Sequence, residues 1–172
     1  MTGFPDRFNL GDFLLDHNLR AGRGAKVALR WRDEAYSYER LVADAGRLAR
    51  AFTDLGLRME ERVLLAVSDR PEFATAWFAT LRAGAVFSMV NPLLPEEDYA
   101  YYLEYTRARI AVVDEALAPA FARLARGARH LRATVVVDAD VFREAPPPAA
   151  AAALAGASAS STTAMRARVY SR

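Results

Sequence analysis

The chain has 172 residues, of which 53% are apolar and 26% charged, ordinary usage for one globular domain with its own core. It has no cysteine, which excludes disulfides and thiolate metal sites, and its formal charge of +2 comes from one end: residues 145–172 hold Arg166, Arg168 and Arg172 and no acid, leaving 20 basic against 21 acidic residues before them. A body that is slightly acidic argues against a nucleic-acid partner, and the longest uncharged run, Ala145 to Met165, is too rich in Ala, Ser, Thr and Pro to span a bilayer.

The first residues, Met1-Thr2-Gly3-Phe4-Pro5-Asp6-Arg7, show no basic segment leading into an apolar one, so a cytoplasmic protein is expected. Residues 9–18 read as a helix, and Val27 to Trp31 with Ala35-Tyr36 as a small hairpin across Arg32-Asp33-Glu34. After Ser37, a natural N-cap, Leu41, Val42, Ala45, Leu48, Ala49, Phe52 and Leu55 fall on one helical face, and Gly56 ends the segment. Residues 62–67 (RVLLAV) form an apolar run of strand length. Pro71 opens the next helix, which runs to Ala83 before Gly84.

Residues 85–90 (AVFSMV) predict another strand, and Pro95-Glu96-Glu97-Asp98 puts a proline and three acids into the first turn of a further helix. Residues 109–113 predict a strand, residues 115–126 a helix stopped by Gly127, and residues 133–137 (ATVVV) a last strand. Strands alternating with helices of this length define an α/β fold with a mainly parallel sheet flanked by helices. From Ala145 onward there are eleven alanines, a triple proline and a Ser/Thr run with almost nothing bulky, so residues 1–144 are expected to form the domain and residues 145–172 a disordered tail.

Several segments together resemble the adenylate-forming (AMP-binding) superfamily. Tyr36-Ser37-Tyr38-Glu39-Arg40-Leu41 is similar to its aromatic-Ser/Thr-Tyr-x-x-Leu entry to a long helix. Leu55-Gly56-Leu57 before Glu61-Arg62-Val63 is similar to its Leu-Gly turn into a buried strand, and residues 81–103 (LRAGAVFSMVNPLLPEEDYAYYL) resemble its Ala-Gly-Ala turn and strand-ending Asn-Pro. Residues 8–18 (FNLGDFLLDHN), Arg70-Pro71-Glu72-Phe73 and the Tyr-rich stretch from Asp98 to Tyr105 point to its benzoate-CoA ligase branch. The resemblance covers residues 8–138 and implies an incomplete N-terminal subdomain of an acid:CoA ligase. The full-length family joins a carboxylate to AMP using ATP and Mg, then passes the acyl group to CoA.

The resemblance also says what is missing. The family surrounds the phosphates with a Ser/Thr/Gly-rich loop ending in Pro-Lys-Gly, whose backbone N–H groups and lysine neutralise charge. Ser160-Ser161-Thr162-Thr163 has no glycine and no following lysine, and the single lysine, Lys26, cannot inherit the role of a lysine from the family's C-terminal lid. By family order the adenine, ribose, metal and most acyl-pocket residues lie beyond residue 172. No catalytic residue, no metal site and no cofactor are therefore expected for this chain.

The remaining candidates have bland readings. Gly22-Arg23-Gly24 precedes a strand and lacks a third glycine, so it reads as a loop. His17 and His130 have no partners at ligand spacing. Glu96, Glu97 and Asp98 suit a helix N-terminus without any substrate, and Tyr99, Tyr102 and Thr106 share one helical face while Tyr101 and Tyr105 share another. Asn91, ahead of Pro92 at the end of a parallel strand, lies where open α/β sheets place ligands and is the one substrate-binding candidate, with a turn as its competing role. Two further readings stand beside an inactive ligase fragment: a non-catalytic interaction domain that pairs with another polypeptide through its uncovered sheet edge, and an unrelated nucleotide-binding α/β protein; self-association through uncovered apolar surface is the partner expectation.

Overall fold

The structure, a computed structural model, describes residues 8–137 and the backbone of residues 167–171. Its first helix, α1, is π-wound over Asp12–Asp16 and α-helical over His17–Arg20. Strands β1 (Val27–Trp31) and β2 (Glu34–Ser37) form the expected antiparallel hairpin, with the second strand beginning one residue early. Helix α2 (Tyr38–Asp54) starts where Ser37 accepts a hydrogen bond from the Arg40 N–H, and it ends at Gly56, whose φ of 84° only glycine adopts without strain.

The main sheet then builds in alternation: β3 (Arg62–Ala66), α3 (Pro71–Arg82), β4 (Val86–Met89), α4 (Glu96–Thr106), β5 (Ile110–Asp114), α5 (Ala118–Leu124) and β6 (Ala133–Val137). Two local expectations are corrected. The helix expected over residues 115–126 begins as a 3-10 turn at Glu115–Leu117 and becomes α-helical only at Ala118, because Pro119 has no N–H to continue a helix and is tolerated only in a first turn. Pro95 lies just outside α4 at the N-cap, leaving Glu96, Glu97 and Asp98 as its first turn.

Strand order is β4-β3-β5-β6-β7, and the first four are parallel. Strand β7 (Ala167–Ser171) pairs antiparallel with β6, placing Val169 opposite Val135. Those five residues depart from the expected disordered tail: Val169-Tyr170 is a β-favouring pair, and the apolar β6 leaves an open row of backbone groups for it to satisfy. Residues 138–166 and 172 lie outside the described residues.

Period-2 alternation divides the core. Val63, Leu65 and Val67 face Phe52, Ala76 and Ala79 of α2 and α3, whereas Leu64 and Ala66 face Tyr99, Leu103 and Phe121 of α4 and α5. A third cluster of Leu15, Tyr36, Leu41 and Ala45 joins the hairpin and α1 to α2. Among the described residues no helix is long and apolar enough to cross a membrane.

Candidate functional site

Chain order and strand order together mark a topological switch point. From β3 the chain goes to β4 on one side of the sheet and later to β5 on the other, with α3 and α4 on opposite faces, so β3 and β5 flank the topological switch point. Open α/β sheets bind ligands beyond the carboxyl ends of such strands.

At that edge Asp114, the last residue of β5, accepts hydrogen bonds on Oδ2 from the Ser68 N–H at 2.9 Å and from the Ser68 hydroxyl. Arg70, just before α3, donates from Nε to Glu72 Oε2 at 2.9 Å and brings Nη1 to 3.8 Å from Asp114 Oδ1. That Oδ1 is buried and accepts no hydrogen bond among the described residues. One guanidinium thus stands between two carboxylates. Burial raises the Glu72 carboxyl above its ordinary value, with Arg70 opposing that shift and Asp114 adding to it. Nearby, burial and a hydrogen bond to Glu34 push the Tyr36 phenol up to about 12.

The arrangement ties the β3–α3 loop to the end of β5. Within it Glu72 is held by Arg70 and Asp114 Oδ2 by Ser68. Among the described residues no three His, Cys, Asp or Glu side chains converge. Sequence reasoning missed this cluster. Its signal was an aspartate closing an otherwise apolar parallel strand, Ile110-Ala111-Val112-Val113-Asp114, and a Ser-Asp-Arg following the neighbouring one. Arg70, the N-cap of α3, makes no side-chain capping bond.

Asn91 lies on the same edge, beyond β4, and is exposed. Its Oδ1 accepts from the Leu93 N–H at 2.9 Å, and its carbonyl accepts from the Tyr99 hydroxyl at 3.0 Å. These bonds build a turn. The structure does not bring Asn91 into the Arg70 cluster by any hydrogen bond among the described residues. Glu96 joins Arg123 of α5, which lowers the Glu96 carboxyl, so that acid links two helices. His17 stacks on Phe13, and His130 Nε2 sits 3.9 Å from Glu104 Oε1. Lys26 is exposed in the turn before β1 and Gly22 adopts φ 72°, both in a plain loop.

A cavity of about 380 Å³ opens at the opposite, amino edge of the sheet, among Glu61, Arg62, Arg107, Arg109 and His130. Its arginines serve the fold: Arg62 Nε donates to the Thr106 carbonyl at the end of α4, and Arg109 pairs with Glu61 at 2.9 Å. Burial raises the Glu61 carboxyl, but the Arg58 N–H and Arg109 outweigh it and hold that carboxyl below its ordinary value.

This order of elements and switch-point edge recur in known proteins. The profile of the AMP-binding enzyme family matches residues 15–167, and the chain belongs to that family. Within it, the chain is 40% identical over 119 residues to benzoate–CoA ligase of Thauera aromatica, covering 69% of this chain and 23% of that one. It is 28% identical over 130 residues to a 4-hydroxybenzoate–CoA/benzoate–CoA ligase of Rhodopseudomonas palustris, covering 76% and 24%. Solved structures agree: an anthranilate–CoA ligase in complex with anthranoyl-AMP superposes with a TM-score of 0.72 at 28% identity over 78% of this chain and 26% of that one. A benzoate–CoA ligase from Burkholderia xenovorans does so at 0.67 and 28% over 77% and 26%. The chain therefore spans about a quarter of the length of these relatives.

Proposed function

We propose that this chain is the N-terminal part of an AMP-forming, benzoate-like carboxylic acid:CoA ligase and that it is inactive alone. The observation that carries the reading is the 40% identity over 119 residues to the Thauera aromatica benzoate–CoA ligase. ATP, magnesium and CoA belong to the whole enzyme. Forming an acyl-adenylate brings a carboxylate against a triphosphate, which requires oriented N–H donors, a lysine and a divalent cation. Lys26, the single lysine, sits in an exposed turn, and the switch-point carboxylates are engaged by Arg70 and Ser68.

The role proposed for this unit in the whole enzyme is to shape the switch-point edge, with Ser68, Arg70 and Asp114 fixing the loop beyond β3. Asn91 remains the candidate contact to the acid. Its Oδ1 is committed to Leu93, so the side-chain amide N–H groups are the part a carboxylate would meet. Pyrophosphate release from MgATP and benzoate is the assay, with no release above a no-enzyme control expected from the 172-residue chain. Release above that control would overturn the inactive-fragment reading.

A further inference from the structure

Burial across the main sheet is uneven. Residues Val63 to Ala66, Ile110 to Val113, and Ala133, Val135, Val136 and Val137 are at most 3% exposed, yet on β4 Val86 is 50% and Met89 55% exposed. Residues three apart on a strand point to opposite faces, so each face of β4 carries one exposed apolar side chain, although Phe87 between them packs on Trp77 of α3. Parallel strands are normally covered on both.

The exposed strip continues past each end of the strand. Met59, 75% exposed, lies against Gly84, and Leu93 is 87% exposed. From Ala85 to Leu94 there is no charged residue, and among the described residues β4 pairs with β3 alone. Natural edges are protected by charges, prolines within the strand or bulges, none of which occurs in Val86–Met89. The opposite edge of the sheet, β6, is closed by β7.

We propose that the open edge of β4, with Met59, Val86, Met89 and Leu93 along it, is the docking surface for the remaining polypeptide of an AMP-forming ligase, which adds an apolar segment there. This rests on the family reading above. The occupant follows from the comparisons: the two superposed ligases carry this unit as 26% of their chains, so about three quarters of each is polypeptide that has no counterpart here. An uncharged edge suits strand addition, in which backbone pairing supplies affinity and side chains such as Val86 and Met89 find pockets.

The test mixes the 172-residue chain with the Thauera aromatica benzoate–CoA ligase from which the region matched here, and everything before it, has been deleted. Gel filtration with light scattering should find a 1:1 complex, and hydrogen exchange should show β4 amides newly protected. Val86→Lys with Met89→Lys should weaken the complex tenfold or more, while Tyr105→Lys, 73% exposed on α4, leaves it unchanged. Unaltered circular dichroism and β3 amide protection establish that the lysine variant is folded.

Failure to form the complex, binding by the lysine variant within twofold of wild type, or a homodimer through β4 that shuts out the ligase polypeptide would each overturn the docking. A covalent fusion of the two pieces separates this from the family reading. Pyrophosphate release by the fusion, with no association of the separate pieces, sinks the docking alone. An inactive fusion counts against the reading and the docking together.

Discussion

Replacing Arg70 by methionine tests whether the switch-point cluster is held by charge. The substitution keeps an apolar stem but removes the cation facing Glu72 at 2.9 Å and Asp114 at 3.8 Å. The Glu72 side chain is 4% exposed, so its carboxylate cannot regain water when its partner is lost, whereas Arg70 itself is 15% exposed and gives up some solvation in the native pair. Breaking buried pairs costs about 3–5 kcal/mol, and the partial exposure of Arg70 places the expected loss near the low end, about 3 kcal/mol at pH 7. Adding Glu72→Gln should recover roughly 2 kcal/mol, since the uncompensated charge goes with it. Urea unfolding followed by circular dichroism reads both numbers. Burial already raises the folded carboxyl of Glu72 above its ordinary 4.5, so this group's stabilising contribution is present below that value and is lost as pH rises through the folded pKa. Without Arg70 the folded value climbs further. The variant's deficit should therefore be largest near neutrality and shrink as pH falls toward 4.5. A loss under about 1 kcal/mol, strictly additive effects in the double variant, or a deficit that grows on acidification would refute the reasoning.

Ser37→Ala should cost about 1 kcal/mol by removing the acceptor of the Arg40 N–H at the start of α2, readable in the same urea titration. Gly84→Ala should cost about 1–2 kcal/mol, because φ is 70° and the added methyl would lie 3.3 Å from Met59 Cγ. Phe52→Ala, fully buried among α2, α3 and the sheet, should cost about 3–5 kcal/mol and lower the thermal midpoint accordingly. Arg123→Ala should leave the melting temperature unchanged within error, since its pair with Glu96 lies at the surface, the two side chains being 58% and 39% exposed.

What the sequence disclosed was whatever local chemistry decides. Ser37, Gly56, Pro71 and Gly84 mark helix ends that recur in the structure, because caps, left-handed glycines and a proline at a first helical position are determined within a turn of chain. The apolar runs became strands with their bounds nearly intact, and the tyrosines divided as their helical spacing required, with Tyr99 1% and Tyr105 73% exposed. The break before Ala118 was less visible, since it follows from where Pro119 falls relative to the carbonyl of Glu115. The Arg70 cluster could not be read locally: Ser68 and Asp114 are 46 residues apart and meet only through the β3–β5 pairing. Strand order decides that meeting, and periodicity does not reveal it.

The two edges of the sheet make the same point about what neighbours determine. Strands β4 and β6 both read as uncharged apolar runs, VFSM and ATVVV, yet β6 is buried along its whole length while β4 is half exposed at Val86 and Met89. The difference lies in what each edge meets. Strand β6 receives β7 from a segment whose composition suggested no structure, and β4 receives nothing among the described residues. An apolar strand left open costs hydration of side chains on both faces and leaves a row of backbone donors and acceptors available to any extended chain. In a fold where every other parallel strand is covered on both faces, that exposure is most simply accounted for by polypeptide that completes the sheet, as the larger ligases have the length to do.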